Sequence, residues 1–389
     1  MKKLYAGALL ASAASVAHAQ NSVTLYGVVD DGIAYQSDVA GSTGSGRTVS
    51  LEAGNLSGNR WGLRGIEDLG GGLSTVFRLE SGFNVNSGKT SQGGRIFGRT
   101  AMVGLTDTAY GSLSVGRQYD PVIDLVQPLT ADDSMGSVFA TPGDMDNYDN
   151  SYRTNNSIKY TSPDLMGLRA AAMYAFGGVA GQIAAGQTYA AAIAYHHGPL
   201  GVAAGYFHAN SNGGTVATSD ALNPNASTFA IASEAITGGF VAANSLQIVR
   251  AAASYALGTV TLGASYSNVR YQNYVDAAGN EATTAFNTGQ AYATWQMTPA
   301  ALLGAGYSYT KGHGNGVSAA YNQFSLGVDY ALSKRTDVYA LGAYQKSSGR
   351  TIDASTGALV DAVASVSDYG NDATGNRQGL FLIGMRHRF

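Results

Sequence analysis

The clearest structural signal in this 389-residue chain is the stretch QFSLGVDYAL at residues 323–332. Apolar side chains occupy every second position from Phe324 to Leu332, and polar, small or acidic residues stand between them. A repeat of two residues is that of a β-strand, because successive side chains point to opposite faces of a sheet. The same alternation recurs at residues 260–267 and 303–310. These stretches predict strands that separate an apolar medium from a wet one.

The composition restricts the fold classes that such strands can build. The chain contains 52 Gly and 24 Tyr but only 13% charged residues, and no run after its N-terminal segment approaches the roughly 18 consecutive apolar residues of a membrane-spanning helix. Helices and closed barrels are the only structures that satisfy every backbone group in lipid, so a membrane location requires a barrel. A soluble β-sandwich and a secreted β-solenoid fit the same composition. A solenoid would show a fixed repeat period, however, and the sequence has none.

The spacing of the connections favours the barrel. Short segments with turn chemistry alternate with longer segments rich in Gly, Ser, Asn and Asp, as in outer-membrane barrels. Seven short turns lie near residues 67–71, 106–111, 162–165, 197–199, 257–258, 298–299 and 332–335. Eight longer segments lie near residues 37–48, 87–94, 120–151, 177–186, 211–244, 273–286, 312–319 and 348–375. These connections predict an all-β fold, a transmembrane antiparallel β-barrel of about 16 strands, closed by pairing of the last strand with residues 22–35.

The N-terminus has the features of a secretory signal. Lys2 and Lys3 precede an apolar run, and the segment ends on the small residues of a cleavage site at residues 17–19. We expect residues 1–19 to be removed and residues 20–389 to form the mature protein. Loss of the two lysines changes the formal charge from -3 to -5, which argues against a nucleic-acid partner. The absence of cysteine excludes a disulfide framework and a thiolate metal site, and no cofactor or metal is expected.

One connection is much longer and more acidic than the others. Between Arg117 and Arg153 the chain carries seven Asp and no Lys or Arg. A connection of more than about 15 residues inside a compact fold is usually functional or disordered. We expect residues 120–152 to fold back into the barrel lumen and to set the bore and charge preference of a diffusion pore.

An ordered set of motifs extends this prediction to a family. The motifs are SVTLYGVVD at 22–30, GNRWGLRGIEDLGGG at 58–72, RIFGRTAMVGL at 95–105, GSLSVGRQYD at 111–120, YRTNNSIKYT at 152–161, YALSKRTDVY at 330–339 and the terminal GMRHRF. Together they resemble the general porins of Gram-negative outer membranes, of the Neisseria and Burkholderia type. The resemblance implies a homotrimer held by a contact loop at residues 87–94, an inward third loop, contact with outer-membrane lipid and lipopolysaccharide, and passive diffusion of small hydrophilic solutes and ions.

The resemblance also implies a cluster of wall arginines that opposes acids on the third loop. Arg60 has the parity of Arg64 and the opposite parity to Trp61, so it can face water, whereas Arg117 shares the parity of Val115 and would need a bulge to do so. The predicted wall residues of the constriction are Arg60, Arg117 and Arg153, then Arg95 and Arg99, with Arg78 and Glu80. The predicted loop residues are Asp144, then Asp146, Asp132, Asp133, Asp120 and Asp124. A solvated strand end or a solvated loop is the alternative for each single residue.

These features predict a passive pore with a weak anion preference. Selectivity is set where a pore is narrowest, and the arginines are expected to gather there while the loop acids spread along the loop. The alternative is a structural or adhesive barrel whose long segments 211–244 and 348–375 bind an external partner. A hydrolase is a distant third possibility, since the sequence has no Cys nucleophile, no G-x-S-x-G elbow and no H-E-x-x-H pair.

Overall fold

The computed structural model describes residues 21–41, 44–211, 235–276 and 278–389. The predicted signal segment and most of residues 211–244 lie outside these ranges. The strands are β1 (Ser22–Gly41), β2 (Gly44–Ala53), β3 (Arg60–Gly70), β4 (Leu73–Gly82), β5 (Thr100–Asp107), β6 (Gly111–Gln118), β7 (Thr154–Thr161), β8 (Leu168–Ala175), β9 (Thr188–His197), β10 (Leu200–Asn210), β11 (Ser245–Leu257), β12 (Val260–Val275), β13 (Glu281–Gln296), β14 (Ala301–His313), β15 (Ala320–Ala331), β16 (Thr336–Ser348), β17 (Arg350–Ile352), β18 (Leu359–Asp361) and β19 (Arg377–Arg388). Two short helices, α1 (Pro121–Val126) and α2 (Ala131–Met135), lie between β6 and β7. None of the helices in these ranges is long and apolar enough to cross a membrane.

Seventeen of the strands form one antiparallel sheet, and β17 and β18 form a separate hairpin. Strand β1 pairs with β2 through residues 31–41 and with β3 through residues 22–28. Strands β2 and β3 therefore occupy one position in the wall, interrupted by residues 54–59. The seventeen strands thus make the sixteen positions of a closed barrel, and the predicted strand number is confirmed.

The barrel closes through its two ends. Strand β19 pairs with β16 on one side and with β1 on the other, from Val28 opposite Arg388 to Gln36 opposite Leu380. The terminal residue continues the ladder, because Phe389 exchanges two backbone hydrogen bonds of 3.1 Å with Gly27. No edge of the large sheet is left open to pair with another chain. The predicted pairing of the last strand with the first is confirmed.

The two faces of the sheet divide as the alternation predicts. In β15, Leu326 is 64% exposed on the outside, whereas Gln323 and Ser325 are buried on the inside. An exterior of this kind is rare on a water-soluble protein and is typical of a barrel wall that faces lipid. The closed sheet excludes the sandwich and the solenoid.

Two of the predicted long loops are instead the ends of paired strands. The ladder between β1 and β2 runs through residues 37–48 to Gly41 and Gly44, and β12 and β13 pair through much of residues 273–286. Bulges between Ser37 and Val39 and between Tyr271 and Tyr274 absorb the irregular sequence. Polar residues there reflect a wet environment on both faces of the hairpin rather than a break in pairing. All seven predicted short turns join neighbouring strands, as expected.

Candidate pore constriction

The connection between β6 and β7 runs along the inside of the barrel. It begins with Asp120, whose carboxylate accepts hydrogen bonds from the backbone N–H of Val122 at 2.8 Å and of Ile123 at 3.3 Å and so caps α1. Val126 and Met145 of this connection are fully buried and belong to one apolar cluster with inward residues of the wall such as Ile248. We call residues 120–152 the constriction loop. Packing of its apolar side against the wall leaves its polar side toward the remaining lumen.

Amide and hydroxyl side chains of the wall fix the middle of the constriction loop. Gln290 donates to the carbonyl oxygen of Phe139 at 2.6 Å, and Gln323 donates to the carbonyl oxygens of Val138 and Ala140 at 3.1 Å each. A buried carbonyl group without a partner costs about 1–3 kcal/mol, so these side chains determine where the loop lies.

An arginine that the sequence reasoning overlooked fixes the end of the loop. Arg250 of β11 is only 1% exposed. It donates to the carbonyl oxygen of Asn147 at 2.9 Å, and its guanidinium carbon lies 4.1 Å from the ring centre of Tyr148. It is a single cation in an otherwise apolar strand with the inward parity of Ile248 and Ala252, which is the signal that identifies it. Its role is to position the loop.

Residues 54–59, between β2 and β3, meet the tip of the constriction loop. Asp30 of β1 shapes this segment by accepting the backbone N–H of Leu56 at 2.8 Å and of Ser57 at 2.7 Å. The carbonyl oxygen of Asn55 then accepts the N–H of Ser137 at the tip of the loop, at 2.9 Å. Gly136 has φ 75°, and a Cβ there would collide with the same carbonyl oxygen. The constriction loop therefore reaches the wall at β2 and β3.

The space that remains open beside this contact is lined by opposed charges. One cavity of about 420 Å³ has Arg60, Arg99 and Arg153 on one side and acids of the loop on the other. The loop acids that line it are Asp132, Asp133 and Asp149. A second cavity of about 440 Å³ continues along the wall past Arg64, Arg78 and Glu80. We call the guanidinium groups of Arg60, Arg64, Arg78, Arg99 and Arg153 the arginine cluster.

Tyr119 and Glu80 hold Arg99 and Arg153 of the arginine cluster in place. The Nε of Arg99 lies 2.8 Å from Oε1 of Glu80, and Nη2 of Arg99 donates to the Tyr119 hydroxyl at 2.8 Å. Arg153 donates to the same hydroxyl at 2.6 Å and stacks 4.8 Å from the Tyr119 ring centre. Arg60 donates to the carbonyl oxygen of Gly58 at 3.0 Å. In the described part of the chain only Arg99 of the five makes an ion pair, so the cluster keeps an excess of positive charge.

The acids that face the cluster are less fully charged. Asp132 is buried and accepts hydrogen bonds from Thr130 at 2.5 Å and from Gln127 at 2.8 Å. Burial raises the pKa of Asp132 to about 7, against the lowering effect of these hydrogen bonds. Asp132 therefore carries only part of a negative charge near neutral pH, whereas Asp133 is exposed to the lumen.

The structure places two of the predicted wall arginines away from these cavities. Arg117 lies in the bulge between Gly116 and Gln118 and lines neither cavity, and it donates to the carbonyl oxygen of Gly98 at 2.7 Å and to Asn155 at 2.5 Å. Arg95 lies in the connection between β4 and β5 and donates to the carbonyl oxygen of Gln92 at 3.1 Å. The bulge that the sequence required is present, but hydrogen bonds to Gly98 and Asn155 hold Arg117 outside the lining of these two cavities.

Four of the predicted loop acids also have other positions. Asp144 is buried and accepts the backbone N–H of Asp149 at 2.7 Å and of Ser151 at 3.1 Å. Asp146 is buried beside Thr141, at 2.5 Å, and Asp120 caps α1. Asp124 pairs with Lys159 at 2.5 Å in a neighbouring cavity toward the short turns. Asp144, the first of the predicted constriction acids, lines neither of these two cavities. A short carboxylate that folds a loop has the same sequence signature as one that lines a pore.

Comparisons with known proteins agree with this geometry. A family model described as Gram-negative porin matches residues 6–350. An outer membrane porin protein of Bordetella pertussis is 29% identical, covering 92% of this chain and 97% of its own, and outer membrane porin protein 32 of Delftia acidovorans is 29% identical over the whole of both chains. The solved structure of an anion-selective porin from Comamonas acidovorans superposes with a TM-score of 0.70 at 23% identity, covering 95% of this chain and all of its own. The chain belongs to the Gram-negative porin family and forms a passive channel in the outer membrane.

Proposed function

We propose that the arginine cluster and the facing loop acids form the selective constriction of this porin, and that it weakly prefers small anions to cations. The observation that carries the proposal is the charge balance of the cavities: besides Arg388, which is paired with Asp337, five guanidinium groups face Glu80, Asp133, Asp149 and an Asp132 that is only partly ionised. An ion at the narrowest point of a channel is least screened and closest to fixed charge. Arginine stays charged throughout the physiological pH range, so the preference does not depend on its protonation.

Small hydrophilic solutes are the proposed cargo. Opposed charges across a narrow lumen orient water and polar solutes, which favours these over apolar molecules of similar size. The constriction residues make only transient contacts with the solute in this scheme. The structurally similar porin of Comamonas acidovorans is described as anion-selective, which agrees with the sign of the proposed preference.

The described loops favour an open pore over the adhesive alternative. Ile236 and Phe240, in the described part of residues 211–244, are buried in the apolar cluster inside the barrel mouth. In residues 348–375, Val366 is buried and the carbonyl oxygen of Ser367 accepts the N–H of Gly143 in the constriction loop at 2.5 Å. The parts of these segments around Ile236, Phe240, Val366 and Ser367 face inward, whereas an adhesive surface would present them outward.

The protein is also proposed to be a homotrimer that contacts outer-membrane lipid and lipopolysaccharide through the rest of its outer wall. The connection that contains residues 87–94 supports this proposal, since Asn86 donates to Asp31 at 3.2 Å. Asp31 stands opposite the outward-facing Met385, so the connection lies against the outer surface of the wall.

Planar-bilayer recording of the refolded protein tests the proposed function. We expect stable conductance that closes in three equal steps, and a reversal potential on the anion side in a KCl gradient. A reversal potential on the cation side would contradict the anion preference. Single-step closure of every channel would contradict the trimer.

A further inference from the structure

Two residues of the arginine cluster, Arg64 and Arg78, make no ion pair in the described part of the chain. Arg64 of β3 and Arg78 of β4 stand directly opposite each other in the antiparallel ladder. Both face the lumen, because they line the same cavity as Arg60 and Glu80. Arg64 lies four positions after Arg60 in β3. The pair therefore lies roughly 13 Å further along the strand, toward the short-turn end of the barrel.

The pair is held over one aromatic ring. The guanidinium carbons of Arg64 and Arg78 lie 5.4 and 5.8 Å from the ring centre of Tyr26. The Tyr26 hydroxyl donates to Glu80 at 2.8 Å, which fixes the ring, and Glu80 also takes Arg99. Glu80 is therefore already engaged by two other groups.

Neither guanidinium has another polar partner. Within the described ranges, Arg64 and Arg78 make no ion pair and no side-chain hydrogen bond, and Asp124 of the adjoining cavity is paired with Lys159. Like charges directly opposite each other in a sheet are destabilising. The Cβ atoms of two residues opposite each other on neighbouring strands are about 5 Å apart, so the planar guanidinium groups of Arg64 and Arg78 can both reach one small anion between them. Binding such an anion removes the repulsion.

We propose that Arg64 and Arg78, over Tyr26, form a binding site for the phosphate group of small solutes at the short-turn end of the arginine cluster. A tetrahedral dianion offers each guanidinium two oxygens, which matches its fork geometry, whereas a halide offers one point of contact. Hydroxyl groups of Ser22, Thr24 and Ser114 line the adjoining cavity of about 570 Å³ and accommodate the rest of a phosphorylated solute. The ligands of this site are phosphorylated solutes. The site rests on the proposed anion preference, because such a ligand reaches it through the pore.

Phosphate block of single channels tests the site. In KCl at about pH 8, where phosphate groups are doubly charged, inorganic phosphate added on the short-turn side is expected to reduce the wild-type current saturably. The variant R64Q/R78Q is expected to need at least about ten-fold more phosphate for half-block. The variant R64K/R78K keeps both charges but loses the forks, and is expected to need more phosphate for half-block than the wild type.

The outcomes separate this inference from the proposed function. Block by glycerol phosphate as well as by inorganic phosphate supports a site for any phosphate group, and block by inorganic phosphate alone restricts the site to the free ion. Equal block of wild type and R64Q/R78Q, or no saturable block of an anion-preferring wild type, overturns the site and leaves the anion preference standing. A cation-preferring wild type that phosphate still blocks through Arg64 and Arg78 overturns only the anion preference.

Discussion

The wall of β3 and β4 and the constriction loop that faces it both carry charged side chains, but they hold them in different ways. On the wall, the strand parity sends Arg60, Arg64 and Arg78 into the lumen, and none of them has an ion-pair partner in the described part of the chain. On the loop, Asp144 and Asp146 are buried and accept hydrogen bonds that fold the loop itself. A charge on a regular strand is thus available to a passing ion, whereas many charges on an irregular loop are used by the loop.

The largest effect is expected from releasing the loop from the wall. Replacing Gln290 and Gln323 by Leu leaves the carbonyl groups of residues 138–140 without their amide donors, at a cost of roughly 1–3 kcal/mol for each buried group. We expect a lower Tm together with larger and noisier single-channel currents, because the loop no longer keeps one position. Gln296→Leu is the matched control, since Gln296 is an exposed residue of the same strand as Gln290 and bonds only at the turn. Quiet, wild-type currents from the double variant would show that the amides do not hold the loop.

A smaller effect on the reversal potential is expected from a change of pH, because acids of the constriction loop titrate and the arginines do not. Asp132 is ionised above its raised pKa of about 7 and neutral below it. Lowering the pH from about 8 to about 6 therefore removes negative charge from the constriction, and the reversal potential should move toward the anion side. The variant D132N should lose part of this pH dependence, because burial also raises the pKa of Asp149 in the same cavity, whereas D361N, at an exposed position in neither cavity lining, should keep all of it. A pH dependence that is unchanged in D132N would assign the titration to another group.

The smallest effect on selectivity is expected from Arg117. Its guanidinium is turned away from the cavities toward Gly98 and Asn155, so Arg117→Gln should leave the reversal potential within error of the wild type. The loss of buried hydrogen bonds should instead lower the Tm. A selectivity shift as large as that of a lumen arginine would place Arg117 at the pore after all.

The strand part of this architecture could be predicted because its rules are local. Alternation fixes the lumen side of Arg60, Arg78 and Glu80 without knowledge of any distant residue. The loop could not be predicted in the same way, since its path depends on Gln290, Gln323 and Arg250, which are far away in sequence. The interruption at residues 54–59 was also missed, although its sequence GNLSGN carries the Gly and Asn of a chain bend.

The central claim is that the wall arginines, rather than the loop acids, set the sign of ion selectivity. The most direct test is the KCl reversal potential of R60Q/R153Q, compared with that of D133N and of R270Q/R335Q. The last variant removes the same charge at exposed positions outside the cavities. We expect R60Q/R153Q to move the potential clearly toward the cation side, D133N to move it less and in the opposite direction, and R270Q/R335Q to leave it unchanged. A potential that stays at the wild-type value in R60Q/R153Q, or that moves equally in R270Q/R335Q, would contradict the claim.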